Sequence, residues 1–173
     1  MADRPQSLAH LEFLGDATGF AAQMHALIPK CALLENFSPA ELRLLAHFMD
    51  VYRAEPGAEI IHEGEGGDFM LMIVEGRVEV RKRDRWNTPQ VIATVEAGRT
   101  LGEMSMIDGE PRFATCMAAQ STTFAVLTRD NMAKIILDHS GLGSKILVKM
   151  VTMLSLRLRQ TSERMLRMME ERQ

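Results

Sequence analysis

Gly102, Glu103 and Arg112 carry the most chemistry in this sequence. They lie in Thr100-Leu101-Gly102-Glu103-Met104-Ser105-Met106-Ile107-Asp108-Gly109-Glu110-Pro111-Arg112-Phe113-Ala114-Thr115. A glycine frees a backbone turn, a glutamate follows it, and a short helical stretch runs out at Gly109. Arg112 comes nine residues after Glu103, at the head of a β-rich run. A carboxylate accepts hydrogen bonds from sugar hydroxyls. A guanidinium offers a phosphate two charge-assisted bonds from one planar fork. Orphan N–H groups at the start of the intervening helix, and its dipole, add attraction for an anion. One acid and one base flanking a short helix therefore suit a small ligand with hydroxyls and one phosphate. The competing reading is an exposed ion pair of little consequence, as most surface pairs are.

The elements that must hold this stretch follow from the hydrophobic period. Leu8, Leu11 and Leu14 repeat every three residues and predict a short amphipathic helix. Phe20, Met24, Leu27 and Ile28 predict a second, ended by Pro29. Ser38-Pro39-Ala40-Glu41 predicts a third, with a serine N-cap, proline at the first helical position and glutamate closing a capping box. Leu42, Leu45, Ala46 and Met49 form its buried stripe, and it stops near Asp50.

From Val51 the period falls to two. Runs at Met49–Arg53, Glu59–His62, Phe69–Val74, Arg77–Arg83, Val91–Val95, Ala114–Ala119 and Thr123–Thr128 are separated by Gly, Pro and Asn turns. About eight short strands at this spacing predict an antiparallel barrel or jelly roll. No βαβ alternation is present, which excludes a dinucleotide-binding α/β sheet. Asp130 or Asn131 is expected to cap a further short helix that ends at His139-Ser140-Gly141.

From Leu142 onward there is no proline, and no glycine after Gly143. Leu147, Val151, Leu154, Leu158, Thr161, Met165 and Met168 are spaced 4, 3, 4, 3, 4, 3, a heptad seam over three heptads. Ile146, Met150 and Met153 lie beside the seam, placed to pack on the β domain. One long helix should touch its own domain near its start and a second copy along its length, giving a parallel homodimer. The alternative is a monomer that buries the stripe on its own core. The expected class is α+β: an antiparallel jelly roll of about eight strands, flanked by N-terminal helices and a long C-terminal dimerisation helix. The expected divisions are a helical extension over 1–29, a β-roll domain over 30–140 and a coiled-coil-like helix over 141–173.

Composition narrows the function. The chain has 173 residues, 46% hydrophobic and 25% charged, which fits one folded domain. Its net charge of −3 lacks the basic signature of a nucleic-acid binder. Cys31 and Cys116 form no CxxC or ligand cluster and read as reduced thiols, hence a cytoplasmic setting. Met1-Ala2-Asp3-Arg4-Pro5 is unlike a signal peptide, and no apolar run nears 18 residues. His62 sits among Glu63, Glu65 and Asp68 in a glycine-rich turn that matches neither an HExxH helix nor an EF-hand loop, so no metal is expected. No nucleophile–base pair or paired catalytic acids stand out, so the chain does not read as an enzyme. Most of the 14 methionines read as core filling.

Two motifs and the order of elements resemble the cyclic nucleotide-binding domain, the family of catabolite activator proteins, protein kinase regulatory subunits and cyclic-nucleotide-gated channels. The first motif is Ile60-Ile61, Gly64, Gly67, Met70–Ile73 and Gly76. The second, the phosphate-binding cassette, is Leu101-Gly102-Glu103, Ser105, Met106, Pro111-Arg112, Ala114 and Thr115. The resemblance covers about residues 30–165. It implies that Glu103 accepts from the ribose 2′-hydroxyl and that Arg112 holds the cyclic phosphate. Backbone N–H groups of Gly102, Glu103, Met104 and Ser105 would complete the cradle, with Phe113 and Ala114 beside it. Val80 and Val95 lie where the family contacts base and sugar. Arg157-Leu158-Arg159-Gln160-Thr161-Ser162-Glu163-Arg164 resembles the activator's dimer helix, implying that Thr161 and Ser162 bond the adenine, one from each subunit.

Two positions depart from the family pattern. Phe113 stands where the family has Ser, Thr, Ala or Gln, and the threonine associated with cGMP is absent. That favours cAMP over cGMP as ligand. Cys116 replaces an aliphatic residue, a mild change. The sequence stops at Gln173, directly after the long helix, with no stretch for a recognition helix, a kinase or a channel. The expectation is a stand-alone receptor that signals through an unidentified protein effector, with neither DNA nor membrane as partner and no cofactor. Met165, Met168, Met169 and the arginines 157, 159, 164 and 167 are candidate docking features, or a solvated helix face. The turn Arg81-Lys82-Arg83-Asp84-Arg85-Trp86 has the same two readings. The alternative function is a ligand-independent structural or interaction module. Phe113 favours it, and Glu103 and Arg112 oppose it.

Overall fold

A computed structural model describes residues 4–171; expectations for residues 1–3 and 172–173 lie outside it. Among the described residues nine strands form two antiparallel sheets. They are β1 (Glu12–Asp16), β2 (Asp50–Ala54), β3 (Glu59–Ile61), β4 (Phe69–Glu75), β5 (Arg77–Arg83), β6 (Pro89–Glu96), β7 (Thr100–Leu101), β8 (Thr115–Ala118) and β9 (Thr122–Thr128). One sheet has the order β1-β2-β9-β4-β7 and the other β3-β8-β5-β6. Among the described residues the other elements are three short 3-10 turns and five α-helices: α1 (Ala21–Ala26), α2 (Pro39–His47), α3 (Glu103–Asp108), α4 (Arg129–Asp138) and α5 (Ser140–Glu170).

The strand runs explain the two cores. In β4 the apolar run is unbroken, so both faces are buried. Phe69, Leu71 and Ile73 face the second sheet with Val78, Phe124 and Val126. Met70 and Met72 face the helices with Ala125, Leu127, Leu45, Ile135, Ile146 and Met150. Of the methionines, Met24, Met49, Met70, Met72, Met106, Met132 and Met150 are buried, whereas Met104, Met165, Met168 and Met169 are exposed.

Two local expectations need correction. The leucine triplet is not one helix: a 3-10 turn spans Gln6–Leu8, and Glu12–Asp16 is a strand paired with β2. Gly15 has φ 121°, which no continuing helix allows, and the register shifts between Phe13 and Gly15. Phe13 packs edge-on against Tyr52 at 5.5 Å. The cap of α4 is neither Asp130 nor Asn131 but Thr128, whose hydroxyl accepts from the Asn131 N–H at 3.2 Å. The two-residue β7 is too short to show a period.

The capping box of α2 forms as its sequence dictates: the Glu41 N–H donates to Ser38 Oγ at 3.2 Å, and the Ser38 N–H donates to Glu41 Oε2 at 2.7 Å. Ser38→Ala should cost about 1 kcal/mol, read as a shift in the urea midpoint at constant m. Glu41 has a second task. Lys145 of α5 donates to its carboxylate at 2.8 Å and to Asn36 O at 2.6 Å, and Lys149 pairs with Glu35 at 2.5 Å. Ile146 and Met150 are fully buried between these contacts. The first third of α5 is thus fixed to the domain. The seam residues Leu147, Val151, Leu158, Met165 and Met168 are exposed.

Candidate functional site

The strand β7, the turn at Gly102 and α3 bring the acid of the site into place. Gly102 caps α3 at φ 83°, and a Cβ there would come within 2.7 Å of the Arg112 guanidinium and 3.0 Å of Phe69 O. Both the left-handed backbone and the close approach require glycine. Gly67 makes room from the other side, since a Cβ there would overlap the Arg112 side chain. Arg112 is only 4% exposed. Its two terminal nitrogens donate to Phe69 O at 2.8 Å and Gly102 O at 3.0 Å, and its guanidinium lies 4.4 Å over the Phe69 ring. Burial lowers its pKa from the ordinary value, while the Asp68 carboxylate pulls the other way.

Glu103 is 2% exposed and is held by two partners. The Thr100 hydroxyl donates to its Oε1. Arg157 of α5 lies 3.0 Å from the same oxygen and donates to Oε2 at 3.1 Å. Arg157 also donates to Thr100 O at 2.9 Å. This buried carboxylate is paired and hydrogen-bonded, as buried charges must be. Oε2 retains acceptor capacity for a ligand hydroxyl. The far end of α3 is braced by Arg129, which donates to Met106 O at 2.8 Å and Ser105 O at 2.7 Å. A cation on the last carbonyls of a helix complements its dipole.

These groups open onto one cavity of about 800 Å3. Gly102, Glu103, Met104, Ser105, Arg112, Phe113, Ala114, Val80, Val95 and Thr161 all line it. Ser162 does not: its hydroxyl donates to Leu158 O at 3.0 Å within its own helix. Thr161 likewise donates to Arg157 O at 2.9 Å. Phe113 is 57% exposed. Lys82 lies 4.5 Å over its ring, donates to its carbonyl at 2.7 Å and pairs with Glu63 at 2.6 Å. The exposed ring lies at the cavity wall with the Lys82 ammonium over it.

Lys30, Arg99, Thr100, Arg157, Gln160 and Arg164 also line the cavity and were not among the expected binding residues. Arg157 sits four residues before Thr161 on the same helical face, a spacing that could have flagged it. Nothing local points to Lys30 or Arg99. Cys116, also at the wall, is 4% exposed, and burial pushes its thiol up to about 12. Cys31 is buried and raised for the same reason. Both thiols are unpaired. Neither should react with a disulfide reagent at pH 8 in the native protein, and both should react in denaturant, because the thiolate is the nucleophile.

Residues 52–139 match the family model of the cyclic nucleotide-binding domain. A cAMP-dependent protein kinase regulatory subunit of Yarrowia lipolytica is 31% identical over 110 residues, 62% of this chain and 28% of that protein. The chain spans less than a third of the length of the first curated relatives it matches. A cyclic nucleotide-binding domain from Methylobacillus flagellatus has a similar structure, with TM-score 0.85 and 35% identity over 95% of this chain and 96% of that one. The catabolite activator protein of Thermus thermophilus shares the fold at TM-score 0.71 and 21% identity, covering 78% of this chain and 61% of that one. Among the described residues no helix is long and apolar enough to cross a membrane.

Proposed function

This chain belongs to the cyclic nucleotide-binding domain family, and from that premise we propose that it is a stand-alone receptor for a cyclic nucleotide, cAMP in preference to cGMP, that changes conformation on binding and signals through a protein partner. One observation carries the reading: Glu103 and Arg112 are both nearly fully buried, both line one cavity, and α5 reaches Glu103 through Arg157. In this reading the cyclic phosphate meets Arg112 and the first N–H groups of α3. The ribose 2′-hydroxyl donates to Glu103. Val80 and Val95 contact the sugar and base. The missing hydroxyl at Phe113 supports cAMP over cGMP.

The output is a shift in α5. Ligand affects the carboxylate that Arg157 holds, so arrangements of α5 that bind ligand differently are repopulated. The exposed seam supports a homodimer through α5, with Ser162 reaching a partner's cavity. The divisions at 1–29, 30–140 and 141–173, a cytoplasmic setting, a sensing rather than catalytic role, and the absence of DNA or membrane partners belong to the same proposal.

Calorimetric titration with cAMP and cGMP tests it. Saturable binding with a preference for cAMP is expected, with a rise in melting temperature as ligand exceeds Kd. No heat and no thermal shift with either nucleotide would leave the ligand-independent module as the function. Sedimentation should give a dimer, and a monomer at high protein concentration would remove the cross-subunit role of Ser162.

A further inference from the structure

We propose that the cavity holds a second anion, a phosphate group gripped by Lys30 and Arg99, besides the one at Arg112; the first phosphate rests on the cyclic nucleotide reading above. Five cations line the cavity, Lys30, Arg99, Arg112, Arg157 and Arg164, against two carboxylates, Glu96 and Glu103. Five less two leaves an excess of three positive charges around one concave space. Both carboxylates are already engaged, Glu103 with Arg157 at 3.0 Å and Glu96 with Arg77 at 3.3 Å. A cyclic mononucleotide brings a single phosphodiester charge, which Arg112 answers.

Two of the remaining cations sit together. A Cβ at Gly98 would come within 3.1 Å of Lys30 Cβ and Lys30 O, so the residue before Arg99 rests directly on Lys30. The residue after Arg99, Thr100, takes the Arg157 guanidinium on its carbonyl at 2.9 Å. Lys30 and Arg99 are therefore neighbours on the wall beside the point where α5 touches the site. Arg164 lies apart, about 10 Å along α5 from Arg157. Among the described residues, Lys30, Arg99 and Arg164 pair with no carboxylate. Lys30 precedes residues 52–139, the stretch that matches the family model, so this pairing draws on the 3-10 turn Ile28–Lys30, outside the cassette.

Like charges held side by side repel, and a concave surface of one sign focuses its field on the space it encloses. An anion between the two removes the repulsion and collects charge-assisted hydrogen bonds from an ammonium and a guanidinium. Phosphate suits both donors, since its oxygens accept from the planar fork of Arg99 and from the point charge of Lys30 together. The group can arrive in two ways. It can be the second phosphodiester of a cyclic dinucleotide, or a free phosphate ion bound beside a cyclic mononucleotide. The chemistry recognised at Lys30 and Arg99 is the same in each.

The test is calorimetry at matched ionic strength on the full chain, wild type and a double variant carrying Lys30→Gln and Arg99→Gln. Both residues are exposed, so the variant should fold, and thermal melting checks it. The probes are cAMP, cyclic di-AMP, and inorganic phosphate added with and without saturating cAMP. The double variant should lose about tenfold in affinity for the probe that supplies the second phosphate, and less than about threefold for cAMP. A loss confined to cyclic di-AMP identifies a phosphate carried on the nucleotide. Saturable phosphate binding to the cAMP complex, absent from the variant, identifies a free ion. Equal weakening of all the probes, or none, would overturn the subsite and leave Lys30 and Arg99 as solvated charges, with the receptor reading intact. If wild type binds no cyclic nucleotide, the receptor reading fails, and phosphate titrated alone still decides the subsite by whether its binding depends on Lys30 and Arg99.

Discussion

Arg112→Ala should remove saturable cyclic nucleotide binding while leaving a folded, less stable protein. Two charge-assisted bonds to a phosphate are worth roughly 1.5–3 kcal/mol each, so their loss corresponds to roughly a hundredfold to ten-thousandfold in Kd. The stability loss has a separate origin. The guanidinium ties Phe69 O on β4 to Gly102 O at the cap of α3. Deleting it leaves two carbonyls without that donor, at about 1–3 kcal/mol for each that stays buried and unpaired. Arg112→Lys should fall between, because an ammonium keeps the charge but cannot reproduce the planar fork. Calorimetry and thermal melting on the same samples separate the two effects. Wild-type cAMP affinity in a folded Arg112→Ala protein would show that the phosphate is held elsewhere.

Arg157→Ala should uncouple α5 from the ligand. Beyond Met153, among the described residues, the hydrogen bonds and ion pair that tie α5 to the β domain all come from Arg157, to Glu103 and Thr100. Without them, amide exchange in residues 158–171 should rise in the ligand-free protein and stop responding to cAMP. Affinity should fall by only about tenfold, because Arg112 and the α3 N–H groups remain and Glu103 loses one charge-assisted partner. Hydrogen exchange followed by mass spectrometry reads the first effect and calorimetry the second. Persistent cAMP-dependent protection of that segment in Arg157→Ala would place the coupling in another contact.

The parts of the fold that were legible in the sequence are those governed by nearby residues. Ser38, Pro39 and Glu41 specify the start of α2 without reference to anything distant, and the cap forms as written. Gly102 and Glu103 announce a turn and a helix start for the same reason. The heptad spacing from Leu147 to Met168 marks a continuous helix, found from Ser140 to Glu170. Failures came where a tertiary partner decides. Three leucines three residues apart look helical, yet pairing with β2 holds Glu12–Asp16 extended. The site divides the same way. The cassette residues are contiguous and visible, whereas Arg157 meets Glu103 across 54 positions, and Arg129 braces Ser105 across 24. Contacts of that separation leave no local period to read.

The uneven anchoring of α5 has a mechanical consequence. Lys145 and Lys149 clamp its first turns, Arg157 bears on the site, and the 13 residues from Leu158 to Glu170 project beyond. That overhang is about 20 Å long at 1.5 Å per residue. A tilt of about 10° at Arg157 would sweep its tip by roughly 3 Å. In the proposed receptor the helix would act as a lever with its fulcrum at Glu103, turning a change too small to repack the β roll into a displacement for a partner to read.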